Sequence, residues 1–513
     1  MTILNVDEIE RCGITEQPIE YNSEYELINW LKYDLLQQAR RNGKEPDKNN
    51  IITITDEEEK EYTLHIGIKD YKNDIKNKII INFSLEKVLF YFSIKYSNVN
   101  KLHYNLRLEN LIVKNKLDFS YNKFFNIFDC NIEFYNIKFE KDILFEDLIL
   151  MKEIYFGGCC FKDTLCFFCS KMNRKIWISN SIFENGISFG NNHIDSIEIT
   201  ESYLNKELKL KSNKIKKIDI IEINTNNNED IKEKNYNAKI TADNIIFNDN
   251  ISFINLNNLK KVNEININNT FINGRINLKN IEVKEADFQG SVINGGLINP
   301  VNFKVHKFAN RESALFLKNE AYARNNAIDA LEYKAKEIDK HKEDLIKDWQ
   351  KNKDFKTFGD ILSIELSSLY SDNGQNWIRA FICTILFPTV FFTLSYTNFK
   401  VGLYFYMLLI TYAINILFFK DILKYIINSI LVYLIVCILL PLLYIGITSF
   451  DESYIKELFM FLIPTNFEQI KESIYIYNDN TLFRGFNYFI GKIAFWYGSV
   501  QTVTAFRKFA KGA

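Results

Sequence analysis

The chain has 513 residues, with 63 Lys and Arg against 64 Asp and Glu and a net charge of −1. That length holds two or more domains, and the balance excludes a whole-molecule attraction to nucleic acid or to an acidic substrate. The 43 Phe and 28 Tyr supply ample core material, and the skew toward Ile, Asn, Lys and Phe reads as compositional bias, so the Asn-rich runs carry no functional weight.

The N-terminus, "MTILNVDEIERCGITEQPIE", has acidic residues where a signal peptide needs a basic start and an apolar run, so this part is expected in the cytoplasm. Eight cysteines, at 12, 130, 159, 160, 166, 169, 383 and 437, form no regular framework, and a reducing compartment keeps them as thiols. "SEYELINWLKYDLLQQARR" (23–41) reads as an amphipathic helix opened by a Ser23 cap, with Tyr25, Ile28, Leu31, Leu35 and Leu36 on one side. The alternating "IITIT" and "YTLHIGI" follow as strands. Residues 1–104 are therefore a small α+β module, either a cap for an open β edge or a separate partner-binding domain.

From 105 to 303 one spacing recurs. "SIFENGISFGNNHI" (181–194) sets Phe183, Ile187 and Phe189 on a polar background. The pattern starts again at Phe139, Phe161, Leu204, Phe247 and Ile272, with weaker copies at Val113 and Ile293. Start-to-start distances are 26, 22, 22, 21, 43, 25 and 21, the 43 being two units with one copy degraded around 225–237. A period of this size marks a solenoid, whose units bury their apolar faces only against one another. Two residues before each start stands a small side chain at Cys159, Ser181, Ser202, Thr270 and Ser291, with Leu111, Ile137 and Ile245 as exceptions.

Alternation along the strand assigns the faces. Phe139, Phe161, Phe167, Phe183, Ile187, Phe189, Phe247 and Phe253 form the core, each worth ~1.5–3 kcal/mol on burial. Phe183, Ile187 and Phe189 are expected to stack on Phe161, Leu165 and Phe167, while Leu144, Cys166, Ser188, Lys209, Ser252 and Asn277 face solvent. Bulky inward residues alternating with small ones, with Asp, Asn or Gly at the corners, resemble a degenerate form of the pentapeptide-repeat family. The resemblance implies a right-handed quadrilateral β-helix. Departures are coils longer than the family's and Ile-Asn in place of its Ala-Asp/Asn-Leu.

Chemistry-bearing motifs are sparse. "GGCCFKDTLCFFCSK" gathers Cys159, Cys160, Cys166 and Cys169, but Cys159 falls on the inward small-residue position and Cys166 on the outward row, so the thiols do not converge as zinc or an iron–sulfur cluster requires. His65, His103, His193, His306 and His341 are never paired at i+3 or i+4. The glycines at 157–158 and 295–296 lack the lysine and strand-to-helix context of a phosphate loop. No catalytic, cofactor or metal residue is assigned, and the chain is expected not to be an enzyme.

Residues 304–373 read as a helical hairpin and a juxtamembrane helix, with apolar spacing at Ala314, Leu317, Ala321 and at Ala330, Leu331, Ala335, Ile338, broken at Asn325-Asn326. The pair resembles a tetratricopeptide-like hairpin. Beyond 374 come runs long enough to cross a bilayer, near 377–398, 401–419 and 425–448, and a more polar fourth at 482–506. Arg379, Lys420, Lys424, Arg507, Lys508 and Lys511 on one side, and Asp451, Glu452 and Glu457 on the other, put both termini in the cytoplasm; Lys400 is the exception. "YIKELFMFLIPTNFEQI" (454–470) is too short to span and reads as interfacial or re-entrant.

"ARNNAIDALEYKAKEIDKHKEDL", "SDNGQNWIRAF" and "GSVQTVTAFRKFAKG" together resemble a bacterial group of pentapeptide-repeat integral membrane proteins of unassigned function. The resemblance implies an inner-membrane, multi-pass protein and no particular activity. Within the fourth span Lys492, Tyr497, Ser499, Gln501, Thr502 and Thr504 are the candidate intramembrane polar or pore residues; the alternative is that Lys492 snorkels and the hydroxyls bond their own helix. The leading expectation is a membrane-anchored scaffold or sensor whose solenoid face binds a protein, the helical hairpin coupling that event to the membrane module. Its competitor is a homo-oligomeric ion channel or membrane-perturbing effector gated by the solenoid, of a kind suited to phage defence. The partners expected are the lipid bilayer and a protein, not nucleic acid.

Overall fold

The computed structural model describes residues 2–13, 21–55, 58–67, 78–96, 99–120, 127–222, 238–245, 253–259, 261–272, 274–293, 297–395, 406–407, 452–463, 465–466 and 481–510. They belong to two compact units, Met1–Ser313 and Ala314–Ala513.

A β-solenoid of about eight turns occupies residues 101–308 of the first unit. One turn shows why. Ser181 and Phe183, Ile187 and Phe189, Asn192 and Ile194, and Ile197 and Ile199 are four inward pairs, all buried. Each pair is in parallel register with its equivalents in adjacent turns, so Phe161, Phe183 and Leu204 form one file and Leu165, Ile187 and Leu208 another. Within these files aromatic rings lie nearly parallel: Phe139–Phe161 at 5.2 Å, Phe161–Phe183 at 4.7 Å, Phe145–Phe167 at 4.8 Å and Phe167–Phe189 at 5.0 Å. Stacking adds to the area that burial removes from water.

The small inward residues are polar for a reason. Cys159 N donates to Ser181 Oγ (3.1 Å) and Ser181 N to Ser202 Oγ (3.2 Å), while on another side Ser170 N donates to Asn192 Oδ1 and Asn192 N to Asn213 Oδ1, both 2.9 Å. Each turn thus satisfies a buried backbone N–H of its neighbour.

Corners demand left-handed backbone. Asn110, Asn136, Asn180, Glu201 and Glu222 at one corner, and Asp147, Cys169, Asn191, Ser212, Asn244 and Asn269 at another, all have positive φ. Asparagine enters that region more easily than most residues because its short amide bonds locally. It also links turns: Asn280 Nδ2 donates to Asn258 Oδ1 (2.8 Å) and Asn302 Nδ2 to Asn280 Oδ1 (3.0 Å). Asparagine set aside as compositional bias is architectural at these positions.

The files correct the sequence alignment in the C-terminal turns. Ile187, Leu208, Ile240, Ile265 and Ala286 lie on one file, and Ile197, Ile218, Ile254, Ile276 and Ile298 on another. Ile276 and Leu278, which the spacing sets under Ile187 and Phe189, therefore continue the Ile197 and Ile199 files. Thr270 and Ser291 fall on the side of Asn192 and Asn213, not that of Ser181. In the strand Phe253–Asn257 the buried pair is Ile254 and Leu256, and Phe253 is level with Lys217 and Arg275. Phe247 and Ser252 lie outside the described residues. All faces share one alternation, so spacing alone cannot tell them apart once the interval 204–247 breaks the phase.

The α+β module extends the same ladder. Thr63–Gly67 pairs in parallel with Asn105–Glu109, and Ile79–Ile81 with Leu111–Val113. The Gln38 amide then donates to Thr63 O (2.8 Å) and accepts from Thr63 N (3.0 Å), occupying the edge where another strand would pair. Gln38 belongs to the helix Glu24–Arg41, capped by Ser23 Oγ on Glu26 N. Its buried stripe is Leu27, Trp30, Leu31, Leu35 and Leu36; Tyr25, expected on that side, is 70% exposed.

The second unit is helical: most of Arg311–Ala323, then Ala327–Asn352, Phe355–Ser371, Trp377–Ser395, Glu452–Leu462 and Thr481–Ala510. Asn325 turns the hairpin at φ 59° and Asn326 caps its second helix on Asp329 N, while Lys318 Nζ meets Glu337 Oε2 at 2.6 Å across it. Trp377–Ser395 is long and apolar enough to cross a membrane, and among the described residues it is the one helix that is. The expected spans 401–419 and 425–448 lie outside the described residues except Tyr406 and Met407.

Two outcomes test the register and the corners. Phe183→Asp should lower the midpoint of β-structure unfolding by several degrees or abolish folding, since it buries a lone carboxylate, while Ser188→Asp should leave the midpoint nearly unchanged. Asn280→Ala should cost about 1 kcal/mol at its left-handed corner and Asn280→Gly far less; equal losses would refute the corner role.

Candidate functional site

On two helices of the second unit, Trp377–Ser395 and Thr481–Ala510, polar side chains meet at helix contacts while many large apolar side chains face outward. Along Thr481–Ala510, Leu482, Phe486, Phe489, Ile493, Trp496, Val500 and Val503 are exposed, and Asn487 and Lys492 are buried. On Trp377–Ser395, Ile378, Phe381, Ile382, Ile385 and Leu386 are exposed, and Thr384 and Thr393 buried. A water-soluble bundle has the opposite arrangement. Among lipids, where hydrocarbon gives polar groups no partner, polar residues belong between helices.

Close approach depends on two glycines. A Cβ on Gly498 would lie 2.5 Å from Thr384 Oγ1 and 2.9 Å from Thr384 Cα, and one on Gly491 would lie 2.6 Å from the Phe461 ring. Beside Gly498, Thr384 Oγ1 and Thr502 Oγ1 are 3.0 Å apart, and each is also within hydrogen-bond reach of a carbonyl of its own helix, Ala380 O and Gly498 O. Gln501 Oε1 accepts from Ser371 Oγ at 2.9 Å and from Ser367 Oγ at 3.4 Å. Tyr370 OH donates to Ala494 O at 3.3 Å, and its ring lies edge-on to Tyr497.

This joint reaches the hairpin through the segment 372–374, three consecutive residues with positive φ. Asn373 Nδ2 donates to Asp339 Oδ1 (3.0 Å), Gln375 Nε2 to Leu331 O (2.7 Å), and Gly374 N to Ser371 Oγ (2.9 Å). Burial pushes the Asp339 carboxyl up from its usual range. A continuous chain of hydrogen bonds therefore joins Ala327–Asn352, Phe355–Ser371 and Thr481–Ala510.

Lys492 has a separate place. Its ammonium donates to Phe461 O and to Ile463 O, the latter at 2.6 Å, at the C-terminal end of Glu452–Leu462. There an ammonium satisfies carbonyls at the helix end, Ile463 O also accepting from Asn466 N at 3.2 Å, and faces the negative end of the helix dipole. Phe461 itself packs with Phe392 and Tyr488. Lys492 does not snorkel. Ser499 and Thr504 bond back to Phe495 O and Val500 O. Of the six residues singled out in the sequence, Tyr497, Gln501 and Thr502 share the joint, Lys492 caps a helix, and Ser499 and Thr504 serve their own helix. The partners Ser367, Tyr370, Ser371 and Thr384 were missed; the run "SSLYS" on an otherwise apolar stripe was the available signal.

In the solenoid, the cysteines stay apart in role. Cys159 is buried, its thiol on Phe134 O and pushed up to about 12 by burial, while Cys166 is half-buried and Cys169 exposed at a corner. Among the described residues no group of three or more His, Cys, Asp or Glu is arranged to hold a metal. No protein-family model, curated protein or solved structure matches this chain.

Gly498→Val should separate the two helices and sharply raise proteolysis of the purified protein, whereas Val500→Gly on the outer face should not. Lys492→Met should deprive Phe461 O of its ammonium donor, leaving Ile463 O only the Asn466 N–H (3.2 Å), at about 1–3 kcal/mol, and speed hydrogen exchange selectively in 452–463; unchanged exchange there would refute the capping role.

Proposed function

We propose that the protein is a bacterial integral membrane protein whose solenoid is a protein-binding scaffold or sensor, with a helical joint passing the bound state to the membrane module. The observation that carries the membrane half is the inverted polarity of Trp377–Ser395 and Thr481–Ala510, together with Trp377–Ser395 being long and apolar enough to cross a bilayer. The solenoid supports the binding half: it is a rigid ladder whose outward files differ in chemistry from face to face, the form repeat proteins use for extended contacts.

In its finer form the reading takes the four inward pairs per turn as a pentapeptide-repeat-like architecture, the module as about four spans in the inner membrane, and both termini as cytoplasmic. It assigns no catalytic role. A homo-oligomeric channel or membrane-perturbing effector, including one acting in phage defence, is the competing reading; its support is the polar content of Thr481–Ala510. Against it, Lys492 is occupied by carbonyls.

Expression of the full chain with a membrane-potential dye separates the two. The scaffold reading expects unchanged potential and co-purification of a specific protein that is lost when outward solenoid residues are changed. Depolarisation that disappears in Lys492→Ala would overturn it in favour of the channel.

A further inference from the structure

Lateral neighbours on the solenoid surface lie one strand spacing apart, about 4.8 Å, and like charges at that distance repel. Several charges are balanced across turns: Lys239 meets Glu264 at 2.7 Å, Lys175 meets Glu198 at 2.6 Å and Arg107 meets Glu133 at 3.7 Å; within one strand Lys217 meets Asp219 at 2.6 Å.

Acidic neighbours in register, Glu198 with Asp219 and Glu264 with Glu285, have a lysine on at least one member, but one basic file has no such relief. Lys171, His193 and Lys214 are in direct register across three successive turns and are all exposed. Among the described residues none of the three has an ion-pair partner. Arg174, exposed at the irregularity that shifts the register between Met172 and Lys175, adds a fourth basic group. Asp195, the acid that acts on His193, is engaged by Lys216 at 3.1 Å. His193 is held below its usual value by partial burial and then by Lys214, Lys171 and Lys216, with Asp195 opposing. The file continues into Ile149, level with Lys171, and Ile149 and Met151 are both exposed.

We propose that this face of the solenoid docks on anionic phospholipid headgroups. An open row of cations suits a broad, multivalent anionic surface, since nothing encloses a single small anion. Exposed Ile149 and Met151 beside the cations suit the boundary between headgroups and acyl chains. Membrane anchoring of the same chain, on which this inference rests, makes weak individual contacts sufficient because the surface is always near. Anionic headgroups would relieve the repulsion on His193 and raise its pKa, so docking takes up a proton there and tightens as pH falls.

Cys169, an exposed thiol two residues before Lys171, is a native reporter, and exposed Cys12 in the α+β module is its internal control. The full chain is reconstituted into discs of phosphatidylcholine alone or with phosphatidylglycerol. Alkylation of each cysteine by a neutral reagent is followed by peptide mass spectrometry. Phosphatidylglycerol should slow Cys169 by about fivefold or more relative to Cys12, and both high salt and Lys171→Glu with Lys214→Glu should abolish the difference. Equal rates in the two kinds of disc, or slowing that survives the double substitution, would overturn the proposal. So would slowing produced by soluble polyphosphate but not by lipid. Failure of the chain to incorporate into discs would instead refute the membrane reading beneath it.

Discussion

The first unit depends on one constraint: no turn of the solenoid buries its apolar side chains except against the turns beside it. Phe183 has Phe161 below and Leu204 above, and the same holds around the coil. Burial, ring stacking and the Ser and Asn bonds to neighbouring backbone all act along the axis, so the structure is a column of nearest-neighbour interfaces. Such a column needs its ends closed. At the N-terminal end Thr63–Gly67 supplies a further strand and Gln38 occupies the edge beyond it.

The second unit answers the opposite requirement. On Trp377–Ser395 and Thr481–Ala510 many large apolar side chains lie outside, while Thr384, Gln501, Thr502 and the Lys492 ammonium lie between helices. Gly498 and Gly491 allow the close approach that lets short polar side chains meet. The joint at Gln501, Ser371 and residues 372–375 is where the amphipathic hairpin gives way to the helices Trp377–Ser395 and Thr481–Ala510. Three consecutive left-handed residues there mark a conformation that the surrounding hydrogen bonds must hold.

Much of the candidate site was half-legible. A lysine within an apolar helix is conspicuous, and so is a run of Gln and Thr; the sequence names Lys492, Gln501 and Thr502. It cannot name their partners, because Ser371 is 130 residues and Phe461 31 residues from the groups they meet. The pore-lining and snorkelling alternatives for Lys492 gave way to a third, helix capping, which requires knowing that Glu452–Leu462 ends at its ammonium.

Local pattern by itself determined the repeat, its inward Phe and Ile residues through the Leu204 copy, the Ser23-capped helix, the hairpin break at Asn325-Asn326 and the change of composition near 377. These follow from periodicity, small-residue positions and chain-breaking residues, all short-range properties. Tertiary structure decided which face each later copy occupies, since every face of the coil repeats one alternation and an interruption shifts the phase silently. It decided that corner asparagines are architectural, because a left-handed φ is not written in residue identity. It also decided that Lys171, His193 and Lys214 form one file: residues 21 or 22 apart become neighbours only when the coil closes.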